Sequence, residues 1–182
     1  MNEQYYPRLD SKGIYLSKYY YNENPFHLSE YGLPNCTCYA WGRFYEICGI
    51  YPERLQMGDA GEWFPKAERA GDYKTGNTPA LGAIICWAST VGGAGHVAVV
   101  EQINEDGSFI ISQSGYYRPV ADYPPDTEDY FWTDTCNATT KLAPWMDGRY
   151  SFQGFIYNRN QPIPPDFGKI PIWLLFKFKK GV

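Results

Sequence analysis

The sequence predicts an α+β fold, with helices early in the chain packed on one side of an antiparallel sheet. Three observations predict it. Apolar positions recur at spacings of three and four between residues 36 and 48, which is a helical period. Short apolar blocks bounded by glycine and by an acidic turn follow between residues 83 and 113, as strands and a hairpin do. The 182 residues include 18 glycines and 14 prolines, too many turn formers for a coiled coil or a helical bundle. Hydrophobic residues make up 44%, enough for a core, and the 18% aromatic content excludes a disordered chain. A formal net charge of −4 gives no footprint for nucleic acid.

Each element follows in order. Residues 1–34 are rich in Tyr, Asn, Ser and Pro, lack periodicity and read as an irregular wrap, with turn or extended points at Asn24-Pro25 and Leu33-Pro34. The first helix begins just after Pro34-Asn35. Its stripe is Cys36, Tyr39, Ala40, Arg43, Phe44, Ile47 and Cys48, apolar except at Arg43, and Gly49 is the stop. A second helical stretch follows Asp59 as N-cap and runs to about Ala70. Gly71 takes the C′ position, and Pro65 is expected to break or kink the helix.

Residues 83–87 read as a buried strand. Residues 96–103 and 108–113 read as two strands joined by the turn Glu105-Asp106-Gly107. Residues 116–150 read as loop and residues 152–157 as a last strand. The Pro-rich stretch 161–165 marks a boundary. The expected organisation is therefore a domain at 1–160, irregular over 1–30, then a linker and tail at 161–182. The tail carries four lysines and the apolar run 170–178, and is expected to pack back or touch a partner.

The chemistry centres on one thiol and one imidazole. Five cysteines, two of them only one residue apart at 36 and 38, suit free thiols better than a disulfide framework. Cys36 sits at a helix start, where unpaired N–H groups and the dipole favour thiolate. Only His27 and His96 can supply an imidazole. His96 opens a strand after Gly92-Gly93-Ala94-Gly95, a place from which a ring can project into a cleft. If the hairpin turn centres between residues 105 and 106, His96 faces Gly115 and Gln113 lies diagonal to it on the same face. A one-residue bulge would offer Ser112 or Ser114 instead. Cys38 points to another helix face, and Cys48, Cys86 and Cys136 read as buried thiols. Cys-x-Cys lacks the usual metal-ligand spacing, so no metal is expected.

Taken alone, each of these residues reads more often as core or structural; their joint pattern carries more. The run Asn35-Cys36-Thr37-Cys38-Tyr39-Ala40-Trp41-Gly42-Arg43 resembles the Cys-Thr-x-Tyr-Ala-x-Gly-Arg signature of CHAP domains, the cysteine, histidine-dependent amidohydrolases/peptidases. Further matches follow in order at residues 59–63, 79–87, 95–101, 106–108 and 152–157, so the resemblance covers about residues 25–158. It implies a papain-like fold and cleavage of an amide bond in peptidoglycan. That bond lies in a stem or cross-bridge peptide, or is the N-acetylmuramoyl-L-alanine amide. By motif position Cys36 is the nucleophile, His96 the base and Gln113 the third member, with Asn35 supporting an oxyanion hole. Gln113 stands where relatives carry an acid, and Gly115 where they often carry Asn. Some relatives bind calcium through clustered Asp before the Cys; residues 26–35 hold only Glu30, so no such site and no cofactor is expected.

Trp87, Gly95 and Tyr116 are expected along a substrate groove, together with aromatics from 116–132 and 145–157. The expected partner is bacterial peptidoglycan, with other phage-particle or lysin subunits as further candidates. The N-terminus shows no secretory signal and no run long enough to span a bilayer. The expected setting is thus a phage lysin made in the host cytoplasm, reaching the wall through a holin pore or on a virion. The alternative is a catalytically impaired wall-binding or structural module on the same fold.

Overall fold

A computed structural model gives the structure of the chain and describes residues 5–9, 13–55, 58–115 and 131–159. The fold is α+β. Among the described residues, three α-helices, α1 (Pro25–Leu28), α2 (Cys36–Cys48) and α3 (Trp63–Ala70), precede the strands. The strands are β1 (Thr75–Gly76), β2 (Ile84–Ser89), β3 (His96–Ile103), β4 (Phe109–Ser114), β5 (Phe131–Cys136) and β6 (Tyr150–Ile156). They form one antiparallel sheet in the order β1-β6-β2-β3-β4-β5. The tail 161–182 and the loop aromatics at 116–130 lie outside the described residues.

Helix α2 starts where its cap dictates. Asn35 Oδ1 accepts from the backbone N–H of Thr37 at 2.8 Å and of Cys38 at 3.2 Å, satisfying two donors that the first turn leaves without helical partners. Gly49 ends the helix in the left-handed region at φ 70. The expected one-sided stripe is too narrow, because residues 37–45 are all buried. Strand residues Ile84, Val97 and Val99 cover one side, and the π-helical turn Lys18–Asn22 covers another. Gly42 marks the closest approach: a Cβ there would lie 2.6 Å from Tyr20 Cδ1. Packing thus overrides the roughly 1 kcal/mol that glycine costs inside a helix.

Pro65 does not break the second helical stretch. A 3₁₀ turn, Ala60–Glu62, leads into α3 and makes Pro65 its third residue, where a missing N–H removes no helical bond. Asp59 precedes the 3₁₀ turn without a side-chain capping bond, so its expected N-cap role is corrected. Pro25 likewise opens α1, with Asn24 Oδ1 accepting from Phe26 N–H at 3.1 Å. Part of the stretch read as loop is the edge strand β5, and the last strand, β6, lies inside the sheet beside β2.

Side chains alternate across β3. Val97 and Val99 face the helices. Ala98 and Val100 face a second core with Ile85, Trp87, Phe109, Ile111, Phe155 and Met146. The β3–β4 hairpin carries a bulge: Ile103 pairs with Phe109 and Gln102 with Ile110, yet Val100 pairs with Ile111 and Val99 with Ser112. The turn is therefore centred on Asp106, off the position expected, and the extra residue Glu101 shifts the register back. Continued past Val99, that register sets Gln113 opposite Ala98 and diagonal to His96.

Glu101 is buried and fully engaged. Arg43 of α2 grips it twice, Nε to Oε1 at 2.8 Å and Nη2 to Oε2 at 2.9 Å, and Ser112 Oγ donates to Oε1 at 2.6 Å. Arg43 also donates to Glu46 Oε2 at 2.8 Å and to the Tyr6 carbonyl at 2.8 Å, and Arg8 joins at Glu46. Carboxylates on two sides raise the Arg43 pKa against the opposing effect of burial, so the guanidinium stays charged. Arg43→Ala leaves a buried carboxylate without its cation, at a cost of about 3–5 kcal/mol. The expected fall in thermal midpoint is roughly 10 °C. Arg54→Ala, at the exposed Arg54–Asp72 pair, is expected to cost less than about 1 kcal/mol. Equal midpoints for the two variants in a thermal melt would contradict this ranking.

Candidate active site

A groove of about 810 Å³ opens where the start of α2 meets the start of β3. Cys36, His96, Asn35 and Asp59 line it, the loop 92–95 forms one edge, and Phe26, Tyr31, Trp132, Trp145 and Tyr150 supply aromatic walls. Cys36 is the first residue of α2. Of the five cysteines, all free thiols, it alone is half-buried, and the other four are buried. Its sulfur faces the backbone N–H groups of Val97, Thr37 and Cys36 itself. The Val97 contact brings the thiol beside the residue that follows His96. His27 packs on the Tyr21 ring at 4.2 Å and does not line the groove.

His96 is buried among rings. Trp87 stacks on it at 5.9 Å, and Trp145 meets it edge-on at 5.5 Å. Its Nε2 lies 2.7 Å from Gln113 Oε1. The register reading therefore holds for Gln113, while Ser112 turns to the opposite face toward Glu101. Gln113 Nε2 donates to Asp134 Oδ2 on β5. The same carboxylate oxygen accepts from Trp132 Nε1 at 3.0 Å and from Trp145 Nε1 at 2.9 Å.

Protonation runs opposite to the helix-start expectation. Burial pushes the Cys36 thiol up to about 11 against the lowering pull of the backbone N–H groups, and Asp59 adds a smaller push upward. Burial also holds His96 down to about 4, offset in part by its bond to Gln113. Both shifts favour a neutral thiol and a neutral imidazole over a thiolate–imidazolium pair. Desolvation outweighs the helix start here.

The expected groove residues divide. Gly95 lines the groove at φ 78, and a Cβ on it would lie 2.5 Å from both Gly61 N and Trp87 O, so only glycine fits this approach to His96. Trp87 does not line it: the ring is fully buried behind His96, with Nε1 donating to the Lys141 carbonyl at 2.8 Å. Tyr116 lies outside the described residues. Asn35 lines the groove, with Oδ1 committed to the helix cap. Asp134 is absent from the sequence-based candidates because its segment reads as loop. The β-forming run Phe131-Trp132-Thr133 is the signal that could have found it. Among the described residues, no three or more His, Cys, Asp or Glu side chains gather to hold a metal.

Comparison with known proteins gives the following. The chain is similar to "Probable autolysin SsaALP" of Staphylococcus aureus, 38% identical over 94 residues, covering 51% of this chain and 34% of that protein. It is similar to the staphylococcal secretory antigen ssaA2 of Staphylococcus aureus, 40% identical over 85 residues, covering 46% of this chain and 29% of that one. The chain spans about a third of the length of these curated relatives. A crystal structure of an N-acetylmuramoyl-L-alanine amidase from Staphylococcus aureus superposes with a TM-score of 0.45 at 27% identity, covering 66% of this chain and 30% of that one. The CHAP domain family model matches residues 26–115, a span that holds Cys36, His96 and Gln113. The chain carries a CHAP domain.

Proposed function

We propose that the chain is a peptidoglycan hydrolase that breaks an amide bond with Cys36 as nucleophile and His96 as base. The observation that carries this reading is the meeting of both residues in one groove, with Gln113 bonded to Nε2 of the imidazole. The family match and the autolysin name of a relative support the substrate class.

The chemistry follows from the resting state. With Gln113 Oε1 accepting from Nε2–H, His96 keeps its lone pair on Nδ1. That nitrogen takes the Cys36 proton as the sulfur attacks the amide carbonyl, so thiolate forms during attack rather than before it. The N–H groups at the start of α2 sit where the oxyanion develops. Imidazolium then gives its proton to the leaving amine, and water resolves the thioester. The phage setting is part of the same proposal, and detection of the chain by mass spectrometry in phage lysates or purified virions tests it.

Cys36→Ser is expected to lower release of fragments from purified bacterial walls by roughly 10³-fold or more, with an unchanged melt. Full activity in that variant would reject the nucleophile. Mass spectrometry of the fragments separates amidase from endopeptidase by the residue bearing the new amine. Binding to walls without release would favour the impaired module.

Two pH effects follow from the protonation states. An unfolded His96 takes up a proton near 6.5, which the folded ring refuses until about 4. Its stabilisation is present above pH 6.5 and lost as pH falls toward 4, by up to about 3 kcal/mol. An unfolded Cys36 releases its proton near 9.0, which the folded thiol keeps until about 11, so that stabilisation is lost as pH rises over this range. Denaturant melts across pH should show a flatter acid limb in His96→Gln and a flatter alkaline limb in Cys36→Ser; limbs that match the parent protein contradict the assignment. Iodoacetamide should label Cys36 before the four buried thiols, at a rate that climbs over the range from 9.0 to about 11. A rate already level at neutral pH would show an ionised resting sulfur.

A further inference from the structure

Gln113 is neutral, and its amide offers an acceptor and a donor that differ in chemistry but hardly in shape. Rotated by half a turn, it would present Nε2 to His96, and the imidazole would have to accept there and carry its proton on Nδ1. A ring in that form cannot take a proton from Cys36. Something must therefore hold the amide the right way round.

Asp134 does so. A carboxylate oxygen only accepts, so the end of Gln113 that faces Asp134 Oδ2 must be the NH₂ group. This leaves Oε1 toward His96 Nε2 at 2.7 Å. The carboxylate is itself anchored from two sides by the indole N–H groups of Trp132 at 3.0 Å and Trp145 at 2.9 Å. Gln113 is fully buried, so no solvent competes for its amide. We propose that Asp134 is a positioning residue that acts through Gln113 to hold His96 in its Nε2–H form, and that it supplies across one amide the negative charge that Gln113 lacks. The inference deepens the proposed hydrolase and rests on that reading for its kinetic part.

The test combines a spectroscopic and a kinetic arm on the full chain. Long-range ¹H–¹⁵N spectra of the His96 ring should show the Nε2–H form in the parent protein. An Nδ1–H ring there overturns the proposal before any variant is made. Asp134→Asn removes the constraint, because the new side-chain amide can donate as well as accept. The expected result is a mixture of ring forms and a fall in kcat on the order of 10²-fold, with KM changed little. The double variant Gln113→Glu with Asp134→Asn should return the ring to Nε2–H and recover most of kcat. In it, the introduced carboxylate accepts directly from His96 and from the NH₂ of the introduced amide, whose oxygen still receives the indoles.

A role confined to bracing Trp132 and Trp145 predicts otherwise: Asp134→Asn would raise KM, leave the ring form unchanged and gain nothing from the added Gln113→Glu change. That outcome overturns the proposal. The spectroscopic arm is independent of turnover, so an active Cys36→Ser would reject Cys36 as the nucleophile and leave this one standing on the ring form.

Discussion

One buried ion pair joins the two halves of the site. Arg43 stands two turns along the helix that begins with Cys36, and Glu101 stands five residues along the strand that begins with His96. Their two-bond grip fixes the distance and rotation between helix and strand. Glu101 is also the bulge residue, so the same contact holds the extra residue in the β3–β4 ladder. Without that bulge, the hairpin turn would deliver a serine to the imidazole instead of Gln113. A charge pair taken out of water is not a cheap way to stabilise a core. Here it sets geometry that an apolar contact would leave loose.

Around that frame the site is walled by rings and backbone. Tryptophan and tyrosine rings enclose His96, and the sulfur lies against backbone N–H groups. Under the proposed mechanism, burial of this kind places the cost of charge separation in the reaction itself: His96 would be neutral and able to accept a proton, and Cys36 would hold its own until a carbonyl is seated beside it.

Much of this is legible in the chain. The helix start just after Asn35, the stop at Gly49 and the limits of β3 are local signals, and local signals survive folding. The meeting of Cys36 and His96 is legible as well, since the two motifs are specific together. What stays hidden depends on long-range packing. The burial of α2 on more than one side comes from a π-helical turn with no clear pattern in sequence. Pro65 reads as a breaker only until a 3₁₀ turn moves the helix start by three residues. The direction of the thiol shift is hidden because burial is a property of the assembled groove, whereas the helix start can be seen in sequence. Trp87 is displaced from the groove for a related reason: strand alternation puts it on the His96 face, but sequence does not say that face is closed there by the Lys141 segment.

The two indoles tied to Asp134 have each used the single hydrogen-bond donor a tryptophan possesses. Toward the groove they present only carbon and π-density. A ligand resting on them would be read through its C–H faces and its outline, not through the orientation of individual hydroxyls. Such walls would tolerate chemical decoration of a ligand while still demanding that it lie flat, and discrimination would fall to the polar atoms that line the groove.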